Sequence, residues 1–279
     1  MDNKKYYSER RGLTKTNKID FEMLKKLFYS IYQRFEDGLY FQQATGYQCV
    51  DKGEIRGFWG GNIEAFIYTK LRLCDVWPIE EKIDQYDEAT LFSFIEFLYD
   101  YVSKPTDKWY HRWDGCGWHS SEYDKEEGQS EFREEINVIL KDYSEGYELS
   151  YNGEILETAP FGLKTVVEEI VETSDPRNID SQIKIAISKY LRYNSTIEDK
   201  KEAVRTLGDV LEYLRKSEIK LPKKDDSDLF QIMNNFGIRH HNPQQKNEYD
   251  KEIWYDWMFY VFLISIKTIL TLERKIIKK

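Results

Sequence analysis

The sequence predicts a mainly α protein: a mixed N-terminal helical domain with a small β-hairpin over residues 1–174, then a four-helix up-and-down bundle over residues 175–279. Three observations predict it. Apolar residues recur at helical spacing through most of the chain. One stretch alternates apolar and polar residues up to Asn152-Gly153, a hairpin signal. Between the two parts runs "ETSDPRNIDSQ", Glu172 to Gln182, a polar segment with Pro176 and with Asp180 or Ser181 as a helix N-cap.

The elements follow in order. "DFEMLKKLFYSIYQRF", Asp20 to Phe35, has helical period. "WGGN", Trp59 to Asn62, lacks the Lys and Ser/Thr of a nucleotide phosphate loop, so it reads as a turn into a helix capped by Asn62. Asp87 to Ser103 and Phe132 to Tyr143 are further helices. Tyr147, Leu149 and Tyr151 then alternate into the hairpin, and "FGLKTVVEEIVET" closes the domain as a helix.

In the second part, Ile183, Ile187, Tyr190 and Leu191 form one stripe, and Ala203, Leu207, Val210, Leu211 and Leu214 form the next. A third helix starts near Ser227, its expected cap, with Leu229, Phe230 and Met233 inward. The last begins near Tyr249 or Asp250, with Trp254, Trp257, Met258, Val261, Phe262 and Ser265 on one side. Asp256 and Lys267 interrupt its apolar run, leaving about ten uncharged residues, too few to span a bilayer. It reads as a buried core helix, and no membrane partner is expected.

Composition agrees with a soluble globular class. Hydrophobic residues make up 41% and charged residues 33% of 279, enough chain to bury a core without disulfides. Three scattered cysteines and a polar N-terminus with no apolar leader point to a reducing, cytoplasmic setting. Net charge is −9, unevenly spread. Residues 175–279 carry 20 basic against 16 acidic side chains, leaving 21 against 34 in residues 1–174. Any anion-binding role therefore belongs to the second part.

Two stretches hold groups that could do chemistry. In "HRWDGCGWHSSEYD", His111, Cys116 and His119 stand close together, with Cys49 or Asp124 available as a fourth metal ligand. The spacing matches no familiar zinc pattern and no Cys-x-x-Cys is present. The leading expectation is a Trp-anchored surface loop, with no metal and no cofactor. A further reading is a nucleic-acid loop, in which Trp113 and its neighbours stack on bases and Arg112 meets phosphate. The second stretch is "NNFGIRHHNPQQK", Asn234 to Lys246, a polar break between two helices. His240 can move a proton near neutral pH and Arg239 can clamp a phosphate. Asn235 and His241 would support them, and Asn234, Gln245 and Lys246 would contact RNA.

A basic-leaning four-helix bundle with this His-containing break resembles the HEPN superfamily, whose signature is Arg, four to six residues, then His. "YYSERRGL" and "FREEINVILKDYSEGYELSYNGEI" resemble the N-terminal region of AbiJ-type abortive-infection proteins. The resemblance implies a cytoplasmic phage-defence protein, homodimeric through the C-terminal bundle, that cuts RNA by metal-independent endoribonuclease chemistry. The sequence departs from the signature: Arg239 adjoins His240, and the positions expected to hold Arg carry Met233, Asn234, Asn235 and Phe236. The alternative is a catalytically inactive HEPN-like module that binds RNA, nucleotide or protein.

Overall fold

Asp20 opens the first long helix, its carboxylate accepting the Met23 N–H at 2.8 Å. The structure is a computed structural model and describes residues 7–11, 18–160, 162–168, 173–216, 223–236, 238 and 248–277. It is mainly helical with small two-stranded sheets. The chain divides into two compact units, residues 1–155 and 156–279. That division lies ahead of the boundary expected at 174/175. The physical reason is that Leu156 joins the second unit's core and bridges to Arg192.

In the first unit, α1 (Phe21–Asp37) buries Leu24, Phe28, Ile31, Tyr32 and Phe35 along one face. Strands β1 (Gly46–Cys49) and β2 (Gly53–Arg56) pair antiparallel, with Cys49 opposite Gly53. Gly53 has φ +72°, a left-handed conformation that closes the turn at little steric cost. Trp59 is buried among Phe66, Trp77, Phe97 and Tyr101. Next comes α2 (Ile63–Leu71), capped as expected by Asn62, whose Oδ1 accepts the Ala65 N–H at 3.0 Å. Helix α3 (Glu88–Tyr101) is capped by Asp87 and is buried along most of its length.

The chain then makes one nested hairpin. Strands β3 (Lys104–Pro105) and β4 (Trp109–His111) run out, and β5 (Gly117–His119) and β6 (Tyr123–Asp124) return, with β4 pairing β5 and β3 pairing β6. Helix α4 (Lys125–Leu140) follows at once and begins earlier than its apolar period suggested. Its extra turns exist because Asp124 caps it, accepting the Glu127 N–H at 2.9 Å. The hairpin expected at Asn152-Gly153 is present as β7 (Tyr147–Leu149) and β8 (Ile155–Glu157).

In the second unit, α5 (Ser181–Leu191), α6 (Ile197–Leu214), α7 (Lys223–Asn235) and α8 (Lys251–Ile277) share one hydrophobic core. The inward residues expected on α5, α6 and α7 are all buried there. Three local expectations are corrected. Asp180 does not cap α5; its carboxylate accepts from the Thr173 N–H and hydroxyl instead. Ser227 lies inside α7, which starts four residues earlier at Lys223. On α8 the core face holds Tyr255, Met258, Phe259, Phe262, Leu263, Ile266, Ile269 and Leu270, whereas Trp254 and Trp257 are exposed at 38% and 41%. Met258 and Phe262 of the expected stripe are in that core and Val261 packs against it, so the correction concerns the two tryptophans. Among the described residues, α8 is the one helix long and apolar enough to cross a membrane by length and composition.

Candidate metal centre

Strand alternation decides what each side of the nested hairpin shows. Trp109 pairs with His119, Tyr110 with Trp118, and His111 with Gly117. Trp109, His111 and His119 therefore share one face. Tyr110 and Trp118 share the other, where both are exposed and their rings meet edge-on at 5.2 Å. The connection between β4 and β5 uses left-handed backbone at Asp114 (φ 50°) and Gly115 (69°), and Gly117 (90°) opens β5 in the same way. That compact turn brings Cys116 back beside the inner face.

Cys49, at the end of β1, meets this inner face. One donor atom from each of Cys49, His111, Cys116 and His119 lies within 4.8 Å of every other. Cys49 Sγ is 3.7 Å from His111 Nδ1, and Cys116 Sγ is 3.0 Å from His119 Nε2. His111 turns its other nitrogen, Nε2, to Asp51 Oδ2 at 3.2 Å. His119 is buried between the Tyr47 ring, stacked at 4.2 Å, and the Trp109 ring at 4.7 Å. Its Nδ1 has no hydrogen-bond partner among the described residues.

The electrostatics distinguish the two thiols. Burial pushes Cys49 upward, but the backbone N–H groups of Lys52 and Asp51 and the Cys116 side chain outweigh it and lower its pKa. Burial and the neighbouring Cys49 push Cys116 upward despite the Val50 N–H. Burial, and after it the neighbouring His111 and Lys52, lowers His119 and favours the neutral imidazole that ligates a metal. The cluster is thus two sulfurs and two imidazoles converging on one point, the donor set of a soft tetrahedral site.

The other candidate residues lie elsewhere. Asp124, weighed as a fourth ligand, is committed to capping α4, and Cys49 stands in that place. Arg112 and Trp113 sit on the turn with both side chains exposed, Trp113 at 72%. Asn234 and Asn235 are exposed in the last turn of α7. Arg239, His240, His241, Gln245 and Lys246 lie outside the described residues. The sequence offered Cys49 or Asp124 as the fourth donor, and the structure brings Cys49 on β1 to the cluster. The signal for it was weak: a cysteine and one valine ahead of a turn-forming Asp-Lys-Gly. No protein-family model, curated protein or solved structure matches the chain.

Proposed function

We propose that this chain is an RNA-directed defence protein of HEPN type. Its second unit would be an up-and-down four-helix bundle, cutting RNA without a metal through His240 and Arg239. The observation that carries this reading is how the chain is tied across the polar break. Phe236 and Ile238 are buried in the core. On the far side, the Tyr249 hydroxyl donates to the Phe236 carbonyl at 2.8 Å, and the Tyr249 ring meets the Phe236 ring edge-on. The described residues on either side of the break are thus held together, and the amides of Asn234 and Asn235 ahead of it are exposed. In the proposed chemistry Arg239 would clamp the phosphate and His240 would move the proton. The first unit adds stacking surfaces for RNA bases at Tyr110, Trp113 and Trp118, with Arg112 beside them.

Dimerisation is part of the proposal. Ile253, Trp257, Ile264 and Leu272 are exposed on one side of α8, opposite the core. A second copy packing there would bury this stripe and bring two breaks together in a cytoplasmic homodimer. Trp257→Glu should then convert a dimer to a monomer by light scattering.

The absence of Arg at residues 233–236 favours a second reading, a binding module that does not cut. Total RNA incubated with the purified protein, without added divalent metal, separates the two. Cleavage that His240→Ala abolishes supports the nuclease. Retention of RNA without cleavage by either protein supports the binding module. Neither retention nor cleavage on any RNA, including tRNA, sinks the RNA reading.

A further inference from the structure

We propose that Cys49, His111, Cys116 and His119 bind one Zn²⁺ ion in a closed structural site, through Cys49 Sγ, His111 Nδ1, Cys116 Sγ and His119 Nε2. The donor separations bracket those the ion requires. Zn–S bonds of about 2.3 Å and Zn–N bonds of about 2.0–2.1 Å put tetrahedral ligand atoms roughly 3.3–3.8 Å apart. The two closest thiol–imidazole pairs here are 3.7 and 3.0 Å apart, and all four donors lie within 4.8 Å.

Each imidazole offers a different nitrogen, for reasons visible in its surroundings. Asp51 Oδ2 accepts the Nε2–H of His111, which leaves Nδ1 unprotonated and aimed at Cys49. His119 is fixed by the Tyr47 and Trp109 rings with Nε2 toward Cys116. Backbone N–H groups of Asp51 and Lys52 face the Cys49 sulfur, a surrounding that stabilises a metal-bound thiolate. Binding requires both thiols to release their protons to solvent while both imidazoles bind as neutral ligands. No oxidation is involved.

Four protein ligands leave no open position for substrate or water, so the ion is structural and not catalytic. Its work is to join two hairpins. Cys49 belongs to the β1–β2 pair, and the other three ligands belong to the β4–β5 pair. These strands are three or four residues long, too short to be stable alone. The ion would hold the β4–β5 hairpin in place and so fix the outward faces of Tyr110 and Trp118.

Two other uses of the cluster predict different chemistry. A Cys49–Cys116 disulfide would leave both imidazoles without a role. A nucleophilic Cys116 with His119 as base would leave Cys49 and His111 unexplained.

The test is native mass spectrometry and elemental analysis of the full-length protein, purified without chelator. The expected result is one zinc per chain, seen as the mass of one zinc less two protons. Cys116→Ser and His119→Ala should lower stoichiometry from one to near zero, whereas Cys74→Ser, at an exposed cysteine outside the cluster, should leave it at one. If the ligand variants do not fold, wild-type protein stripped of metal and refilled with Co²⁺ answers instead. Thiolate-to-cobalt charge transfer with tetrahedral d–d bands supports the site. Full-length protein that takes up neither ion and has two free thiols in the cluster overturns the proposal, as does a mass two hydrogens low from a disulfide.

Discussion

Asp51 and Cys49 bind opposite nitrogens of the same ring: His111 Nε2 lies 3.2 Å from Asp51 Oδ2, while its Nδ1 lies 3.7 Å from Cys49 Sγ. The carboxylate therefore selects which nitrogen faces the cluster. Asp51→Ala keeps the backbone N–H that faces the Cys49 sulfur and removes only the carboxylate. It should weaken zinc retention about tenfold, the lower end of the usual effect for such a partner. Competition against a coloured chelator measures this, and unchanged retention would mean that Asp51 does not orient the ring.

Asp107 holds the strand exit just after His119. Its carboxylate accepts from the Ser120 and Ser121 hydroxyls at 2.6 and 2.7 Å, and from the Ser121 and Glu122 N–H groups at 2.9 and 2.8 Å. These donors, the Ser120 and Ser121 hydroxyls foremost, keep its pKa well below the usual carboxylate range. The sign follows. A depressed folded pKa contributes stability that is present above the unfolded value, near ~3.9, and is lost as pH falls through the folded one. Asp107→Asn should melt at a lower temperature than the parent at neutral pH. The two curves should converge as pH drops below about 4. A constant gap down to strong acid would assign the effect to packing instead of charge.

Gly128 sits inside α4 where the helix passes β3. A methyl there would come within 2.5 Å of the Lys104 nitrogen and 2.7 Å of the Ser103 Cα. Ala is the better helix former by about 1 kcal/mol, but overpacking against fixed backbone costs about 1–3 kcal/mol. Gly128→Ala should therefore be neutral to destabilising in thermal denaturation. A clear rise in melting temperature would show that β3 can move aside.

Thr196 and Asp199 form a reciprocal capping box at the start of α6, with each side chain accepting from the other's backbone N–H. Thr196→Ala should cost about 1 kcal/mol, read from denaturant unfolding of the second unit. Loss of metal from the first unit should not change that value.

The helices were legible from a 3.6-residue apolar period, joined in several of them by a capping side chain. Asp20, Asn62, Asp87 and Thr196 all cap helices in the structure. Where polar residues compete for the same role, the sequence misleads. Asp175, not Asp180, caps the turn before α5, because Asp180 is drawn to Thr173. The β1–β2 and β4–β5 hairpins were not legible. Strands of three or four residues give too few positions for alternation to stand out. The candidate site shared that fate. Three of its four donors were visible as a cluster, but whether Cys49 or Asp124 completed it depended on pairings between distant strands.

Cys49 and His111 are 62 positions apart, and His119 lies further still. At about 5–20 residues per second, Cys49 would emerge during synthesis several seconds before its partners. For that interval its thiol lacks the other three donors, exposed to whatever oxidants and stray ions surround a nascent chain. The α2 and α3 segments between the ligands must be made before the four donors can meet. Assembly of the centre would then come late in the birth of the first unit, marking the moment when its chain has been made past residue 119.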